Sequence, residues 1–269
     1  MNSQQKLIKA SAELIEYLHK IVLEYQITEP ELRQIVEFLT QVGRQNEFQL
    51  LFDVLGISVI VDDITYGQEH DSTAHNVEGP LYRAGAPLRT PPVKLCADDE
   101  EGDLLIMSGQ VISAADKRPL AHAMLDVWQT NQHGYYENQD EAQADYNLRG
   151  RLLTDEHGRY EFQTIVPGAY EVTRGGPVGN LLLALGRHAW RPSHIHFKVA
   201  CEGFAPLTTM LFMVGDPWLH SDAINAVKES LVVKLEKHDS PEAMRQRGLF
   251  RPFCTCNYDF ELKETVAVR

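Results

Sequence analysis

His194 and His196 stand two apart in HIHFKVAC, a segment whose pattern reads as a strand. At period two both imidazoles leave the same face, so one metal ion can meet both. Such a pair is often no more than two strand residues on a polar face, and it gains meaning only from its company. That company lies upstream in Gly134-Tyr135-Tyr136 and Val166-Pro167-Gly168-Ala169-Tyr170, tyrosines in glycine-rich turn contexts, with Arg191 three residues before His194. A phenol titrates near ~10 and ligates a divalent ion poorly. A highly charged ion holds it as phenolate, and hard oxygen donors favour that ion in turn. Two tyrosines with two histidines therefore point to Fe(III) over Zn(II) or Fe(II). Two phenolates and one hydroxide would balance the three positive charges, and a neutral site is buried at modest cost. The ordinary fate of the ten tyrosines in a β-rich chain is as core or edge aromatics. Tyr136 and Tyr170 stand apart through their arrangement with the histidines and Arg191.

Three helices are expected first. Residues 4–26 place Leu7, Leu14, Leu18, Ile21 and Tyr25 at helical steps, with Ile8, Ile15 and Val22 beside them. This broad apolar stripe must bury against its own chain or a second subunit. Thr28-Glu29-Pro30-Glu31 opens a second helix with a capping box and a first-turn proline, carrying Leu32, Ile35, Val36 and Leu39 to about Gly43. A third runs from about Asn46 to Ile64 through Phe48, Leu51, Phe52, Leu55 and Val59, with Gly56 and Ser58 as weak points. Gly79-Pro80, Gly85, Pro87 and Pro91-Pro92 then mark a linker or lining loop. Seven β-patterned segments follow: 103–113, 123–130, 160–166, 194–201, 208–214, 230–236 and 253–262. Their spacing suggests a β-sandwich. The expected fold is mainly β, a catalytic sandwich over residues 79–269 behind an N-terminal helical domain over residues 1–78.

Composition narrows the function. The chain of 269 residues is 43% hydrophobic, with no apolar run long enough to span a bilayer and no signal-peptide core in MNSQQKLIKASAEL. A net charge of −13 argues against nucleic acid or an anionic membrane as partner. Cys96, Cys201, Cys254 and Cys256 lack a disulfide spacing, which suggests free thiols in a reducing, cytoplasmic setting. Cys254-x-Cys256 reads as two same-face strand residues, since no second cysteine pair accompanies it.

The chain resembles the bacterial intradiol ring-cleavage dioxygenases, which include catechol, chlorocatechol and hydroxyquinol 1,2-dioxygenases. The resemblance rests on Glu78-Gly79-Pro80-Leu81-Tyr82, Ala84-Gly85-Ala86-Pro87, the run Leu125–Asn131, Gly134-Tyr135-Tyr136 and Tyr146-Asn147-Leu148-Arg149-Gly150. Thr154–Tyr160, Val166–Tyr170 and Gly186–Phe197 continue it in family order. It implies one Fe(III) per chain held by Tyr136, Tyr170, His194 and His196, with Tyr170 the dissociable tyrosinate and Tyr135 a bystander. Arg191 would lie over the bound ring. A catechol-type diol would displace Tyr170, which takes a substrate proton, and Fe(III) would draw density from the ring so that a ring carbon meets O2. The resemblance also implies a homodimer through the N-terminal helices, with phospholipid sometimes bound between them.

For the substrate, the resemblance places Leu50, Asp53, Val77, Gly79, Pro80, Leu81, Val172 and Ile224 around the ring. A carboxylate such as Asp53 needs a donor in an apolar pocket, and a third ring hydroxyl supplies one. This favours hydroxyquinol (1,2,4-trihydroxybenzene) going to maleylacetate, as do Leu50–Ser58 and Gly176-Pro177-Val178-Gly179. Glu78–Tyr82 looks more like the catechol branch, which gives cis,cis-muconate, and Met210 stands where catechol enzymes carry glutamine. Other classes compatible with single features are a zinc hydrolase using His194 and His196, and a non-enzymatic β-sandwich binding protein.

Overall fold

The computed structural model describes residues 2–67, 71–173 and 175–265. The chain divides into two compact units, Met1–Phe48 and Gln49–Arg269. The first unit is built of α1 (Ser3–Glu24) and α2 (Glu29–Arg44). Thr28 starts α2 as its sequence dictates, the backbone N–H donating to Glu31 Oε2 at 2.8 Å and the hydroxyl to the same atom at 2.6 Å. No residue of α1 is buried, and Leu7, Leu14, Leu18, Ile21 and Tyr25 are 48–70% exposed. The predicted stripe is present and uncovered.

The expected third helix is two, α3 (Phe48–Val54) and α4 (Ile57–Tyr66). Gly56 separates them at φ +73°, a left-handed conformation that ends one helix cheaply only when no Cβ is present.

Then come β1 (Val93–Lys94), β2 (Leu104–Ser113), β3 (Met124–Gln129), β4 (Arg149–Leu153), β5 (Arg159–Ile165), β6 (Tyr170–Glu171) and α5 (Gly176–Ala184). They are followed by β7 (Trp190–Arg191), β8 (His194–Ala200), β9 (Leu207–Met213), β10 (Val232–Val233), β11 (Glu236–His238), α6 (Pro241–Arg247), β12 (Phe253–Asn257) and β13 (Phe260–Leu262). One sheet runs β1-β5-β2-β12-β11, with β13 also paired to β2, and the other runs β10-β9-β8-β3-β4. Phe197 of the second sheet meets Phe162 and Phe260 of the first, with ring centroids 6.2 and 4.9 Å apart. The two sheets thus share one aromatic core, and the mainly β sandwich is as expected. Two predicted strands are subdivided. Segment 253–262 divides into β12 and β13, both parallel to β2 in one register, and between them the Asp259 side chain accepts from Gln110 N of β2. Segment 230–236 feeds β10 and β11, which belong to different sheets.

The two tyrosine turns are tied to each other through backbone. Asn131 O accepts from both Gly134 N (3.1 Å) and Gly168 N (2.9 Å), and Asn131 Oδ1 accepts from His133 N and Tyr135 N at 3.0 Å each. A Cβ on Gly168 would lie 2.3 Å from Gln132 O, and one on Gly134, already at φ +78°, 2.3 Å from Ala169 O. Neither position has room for a side chain. Gly168→Ala should cost about 2–4 kcal/mol of stability in urea unfolding, because the clash is with backbone that cannot swing away. An unchanged midpoint would mean that the turns separate freely.

Candidate active site

The sequence places its chemistry on adjacent strands, and antiparallel register converts that into contact. Across the second sheet, Arg149 of β4 pairs with Trp128 of β3, Trp128 with His196 of β8, and His196 with Met210 of β9. Directly opposed residues share a face, so these four form one row. His194, two residues from His196, takes the same face opposite Phe212. The ribbon of β6 and β7 sets Tyr170 directly opposite Arg191.

The five residues expected to form the site converge. His194 Nε2 lies 3.1 Å from His196 Nε2, and Arg191 Nη1 is 3.4 Å from Tyr170 Oη and 3.3 Å from His194 Nε2. The Tyr136 ring meets Tyr170 edge-on at 5.5 Å and His196 at 6.4 Å. All five are buried. Tyr135 is only half-buried.

Burial dictates the protonation states. It pushes the Tyr136 phenol well above its ordinary value, with the neighbouring Tyr170 adding to the rise. It holds His194 well below its ordinary value, and the Arg191 charge lowers it further. His196 is lowered in the same direction, by burial first and then by His194, Arg191 and Arg149. Burial also opposes the Arg191 charge, but Asp222 and Tyr170 more than offset it and keep the guanidinium firmly protonated. Asp222, buried 31 residues along the chain, accepts from Arg191 Nε at 3.2 Å and from the backbone N–H groups of Ile224 and Ala226. One carboxylate thus neutralises the arginine and folds the loop at 222–226.

The donor set fits a hard, highly charged ion. No group of three or more His, Cys, Asp or Glu among the described residues could hold a metal, so an ion here must lean on phenols. His194 Nδ1 donates to Pro192 O at 2.6 Å, which leaves Nε2 with its lone pair. That lone pair faces His196 Nε2, while His196 Nδ1 is buried without a partner. If His196 donates through Nε2, its Nδ1 acceptor is stranded; if not, two lone pairs face each other. A cation shared by both Nε2 atoms removes the second conflict.

Behind Tyr136 lies a buried ion pair of Arg149 and Glu137, with Arg83 Nη1 also 3.0 Å from Glu137 Oε1. The Arg149 guanidinium lies 5.5 Å from the centre of the Tyr136 ring. The residues proposed around the ring are distributed on several segments. Leu81 and Val172 pack on the cluster of Trp128, Tyr136 and Tyr170, and a Cβ on Gly79 would stand 3.8 Å from His196 Cε1. Pro80, between them, is exposed and Val77 half-buried. Ile224 sits on the Asp222 loop. Leu50 and Asp53 lie on α3, whose last carbonyl, Val54 O, accepts from Arg187 Nη1, while Arg187 Nη2 donates to Ala223 O on that loop. Asp53 is buried, and its Oδ1 accepts from Gln49 Nε2 at 2.9 Å. Met210 is fully buried, its sulfur accepting from Arg191 Nη2 at 3.2 Å. Cys254 and Cys256 are both buried on β12, with free thiols.

Asp222, Trp128, Arg187 and the Glu137–Arg149 pair were not foreseen as part of the site. Trp128, Arg149 and Arg187 lie in stretches that carry the resemblance, but their places around the site are readable only once register and long-range contacts are known.

In the folded metal-free protein both histidines are neutral, whereas in the unfolded chain they take up protons near ~6.5. The unfolded state therefore binds more protons below that value, and stability falls with falling pH. The expected slope is up to about 1.4 kcal/mol per pH unit for each histidine. Urea unfolding from about pH 7.5 to pH 5.5 should show a shallower fall in His194→Asn and His196→Asn than in wild type. Identical slopes would contradict the neutral pair.

The chain matches the family described as Dioxygenase over residues 77–263 and the Catechol dioxygenase N terminus over residues 5–73. It is 36% identical over 264 residues to the hydroxyquinol 1,2-dioxygenase of Rhizobium sp. strain MTP-10005, covering 96% of this chain and 89% of that protein. It is also 36% identical over 259 residues to the catechol 1,2-dioxygenase of Acinetobacter baylyi, covering 93% and 82%. The solved structure of the hydroxyquinol 1,2-dioxygenase of Pseudomonas putida DLL-E4 superposes with a TM-score of 0.88 at 36% identity, covering 98% of this chain and 94% of that one.

Proposed function

The chain belongs to the intradiol ring-cleavage dioxygenase family, and from that membership we propose that it opens hydroxyquinol between its adjacent hydroxyl-bearing carbons with O2, giving maleylacetate. The observation that carries the reading is the convergence of two phenols, two neutral imidazoles and one buried guanidinium. Tyr136, Tyr170, His194 and His196 would hold one Fe(III) per chain. When bound, Fe(III) supplies the charge that keeps the phenols ionised and withdraws electron density from the diol ring.

The chain's own residues do the remainder. Tyr170 Oη receives a proton from a substrate hydroxyl, and Arg191, in contact with that oxygen, compensates the charge change at the moment of transfer. Arg191 also lies where negative charge on the ring would develop, and it is pre-oriented by Asp222 so that little reorganisation is needed. Burial excludes water, which strengthens both effects. Leu50, Asp53, Val77, Gly79, Pro80, Leu81, Val172 and Ile224 would enclose the ring, with the Asp53 carboxylate accepting from the third hydroxyl.

One observation favours a second reading. Asp53 Oδ1 already accepts from Gln49, so the carboxylate is not left bare when a diol without the third hydroxyl binds. On that reading the substrate is catechol or a substituted catechol and the product a cis,cis-muconate. The helical region 1–78 would serve dimerisation, since the α1 stripe is exposed along its length, with phospholipid a candidate filler of the joint. Residues 79–269 would carry the iron site. Among the described residues no helix is long and apolar enough to cross a membrane, and free cysteines suit the cytoplasm.

Oxygen uptake by iron-loaded protein should give a higher kcat/KM for hydroxyquinol than for catechol, and Asp53→Ala should narrow the gap. A preference for catechol would remove Asp53 as selector and leave the family chemistry in place. Arg191→Gln should retain iron and lose roughly 10²–10³ in kcat, measured in the same assay. Light scattering at micromolar concentration should report a dimer, and a monomer would count against the role given to α1.

A further inference from the structure

Two histidines proposed to share one ion are oriented by different means. His194 follows the usual pattern, its second ring nitrogen donating to a backbone carbonyl, Pro192 O, at 2.6 Å. His196 has no such tether, because its Nδ1 is buried without a partner. Its ring is instead packed flat on the indole of Trp128, with centroids 4.6 Å apart and planes within 7°. Trp128 is itself fully buried with its Nε1 unpaired, so no hydrogen bond dictates where the indole lies. Packing does. Register opposes Trp128 to His196 and, two residues away on the same face, Asp126 to Lys198. The Tyr82 ring lies tilted against Trp128, with centroids 4.9 Å apart, its hydroxyl donating to Asp126 Oδ2 at 3.1 Å. Lys198 Nζ caps the Tyr82 ring at 4.0 Å and pairs with Glu78. The result is a column of lysine, tyrosine, tryptophan and histidine running from the surface to the site.

We propose that Trp128 is the positioning residue for His196, its flat indole fixing the plane of the imidazole as the Pro192 carbonyl fixes that of His194. The proposal rests on the assignment of His196 as a ligand only for its consequence in metal binding. The orientation itself is a property of the metal-free protein. Trp128→Phe retains a flat aromatic face, whereas Trp128→Leu is apolar without one, and both are smaller than tryptophan. A metal ligand that loses its outer orientation typically loosens its ion by about 10–100-fold.

The test compares wild type, Trp128→Phe and Trp128→Leu in two measurements. In metal-free protein, proton NMR reads the ring-current shift on the carbon-bound protons of His196, assigned by their loss in His196→Asn. Fe(III) affinity is then read by competition with EDTA. The expected result is a sharp, shifted His196 signal in wild type and Trp128→Phe. In Trp128→Leu the signal should be unshifted and broadened, with Fe(III) affinity reduced about 10–100-fold. A purely space-filling role would lower the unfolding midpoints of both variants and leave Fe(III) affinity unchanged. That outcome, or wild-type affinity in Trp128→Leu, overturns the proposal. Should wild type take up no Fe(III), the metal reading falls while the NMR comparison still decides whether Trp128 orients His196. If Trp128→Leu does not fold, Tyr82→Ala at the half-buried outer end of the column serves instead. It should partly release the His196 shift, and an unchanged signal would overturn the proposal.

Discussion

A guanidinium shut away from water is the constraint on which the site depends. Arg191 cannot give up its proton, so its charge must be met inside the protein, and Asp222 meets it. The loop at 222–226 takes its shape from the same carboxylate, through the amides of Ile224 and Ala226. On the other side the charge falls on His194 and His196 and helps keep both neutral. Neutral imidazoles have lone pairs to offer. Burial and this one charge together therefore set the donor character of both histidines.

The sheet supplies what the charge cannot, which is alignment. The row of Arg149, Trp128, His196 and Met210 exists because four strands pair in one register. A slip of one residue in β8 would turn both histidines into the sandwich and Phe197 out of it. The aromatic core of Phe162, Phe197 and Phe260 resists such a slip, so the same packing that stabilises the domain fixes the geometry of the site. Tyr136 comes from a turn and Tyr170 from the start of β6 just after one, and the closeness of the two turns is enforced by glycines with no room for a side chain.

Much of this was legible in the chain. His194-x-His196 on one strand, Tyr136 and Tyr170 after glycine-bearing turns and Arg191 nearby could all be read from residue type and spacing. The helical start, the capping box at Thr28 and the β character beyond residue 103 followed from local rules. What escaped was long-range or very short. Asp222 has an ordinary neighbourhood, and its meaning comes from an arginine 31 residues earlier. β6 and β7, two residues each, are too brief for any periodicity, yet they set Tyr170 against Arg191. The break at Gly56 showed as a weak point in the helix pattern, though only the backbone reveals it as a left-handed junction.

The walls near the site are fastened in a way that has a consequence for descent. Arg187 binds Val54 O and Ala223 O, Asn76 Nδ2 binds Ala226 O at 2.7 Å, and Thr209 Oγ1 binds Ala74 O at 2.7 Å. Every one of these anchors grips a main-chain carbonyl, a group that all twenty amino acids carry. Side chains on α3, on the 74–81 stretch apart from Asn76 and on the 222–226 loop apart from Asp222 can thus be exchanged by mutation without unfastening the segments that bear them. The strands with the histidines are held by register and core packing, where exchange is costly. Lineages built on this plan can explore new pocket linings while inheriting the reactive centre unchanged.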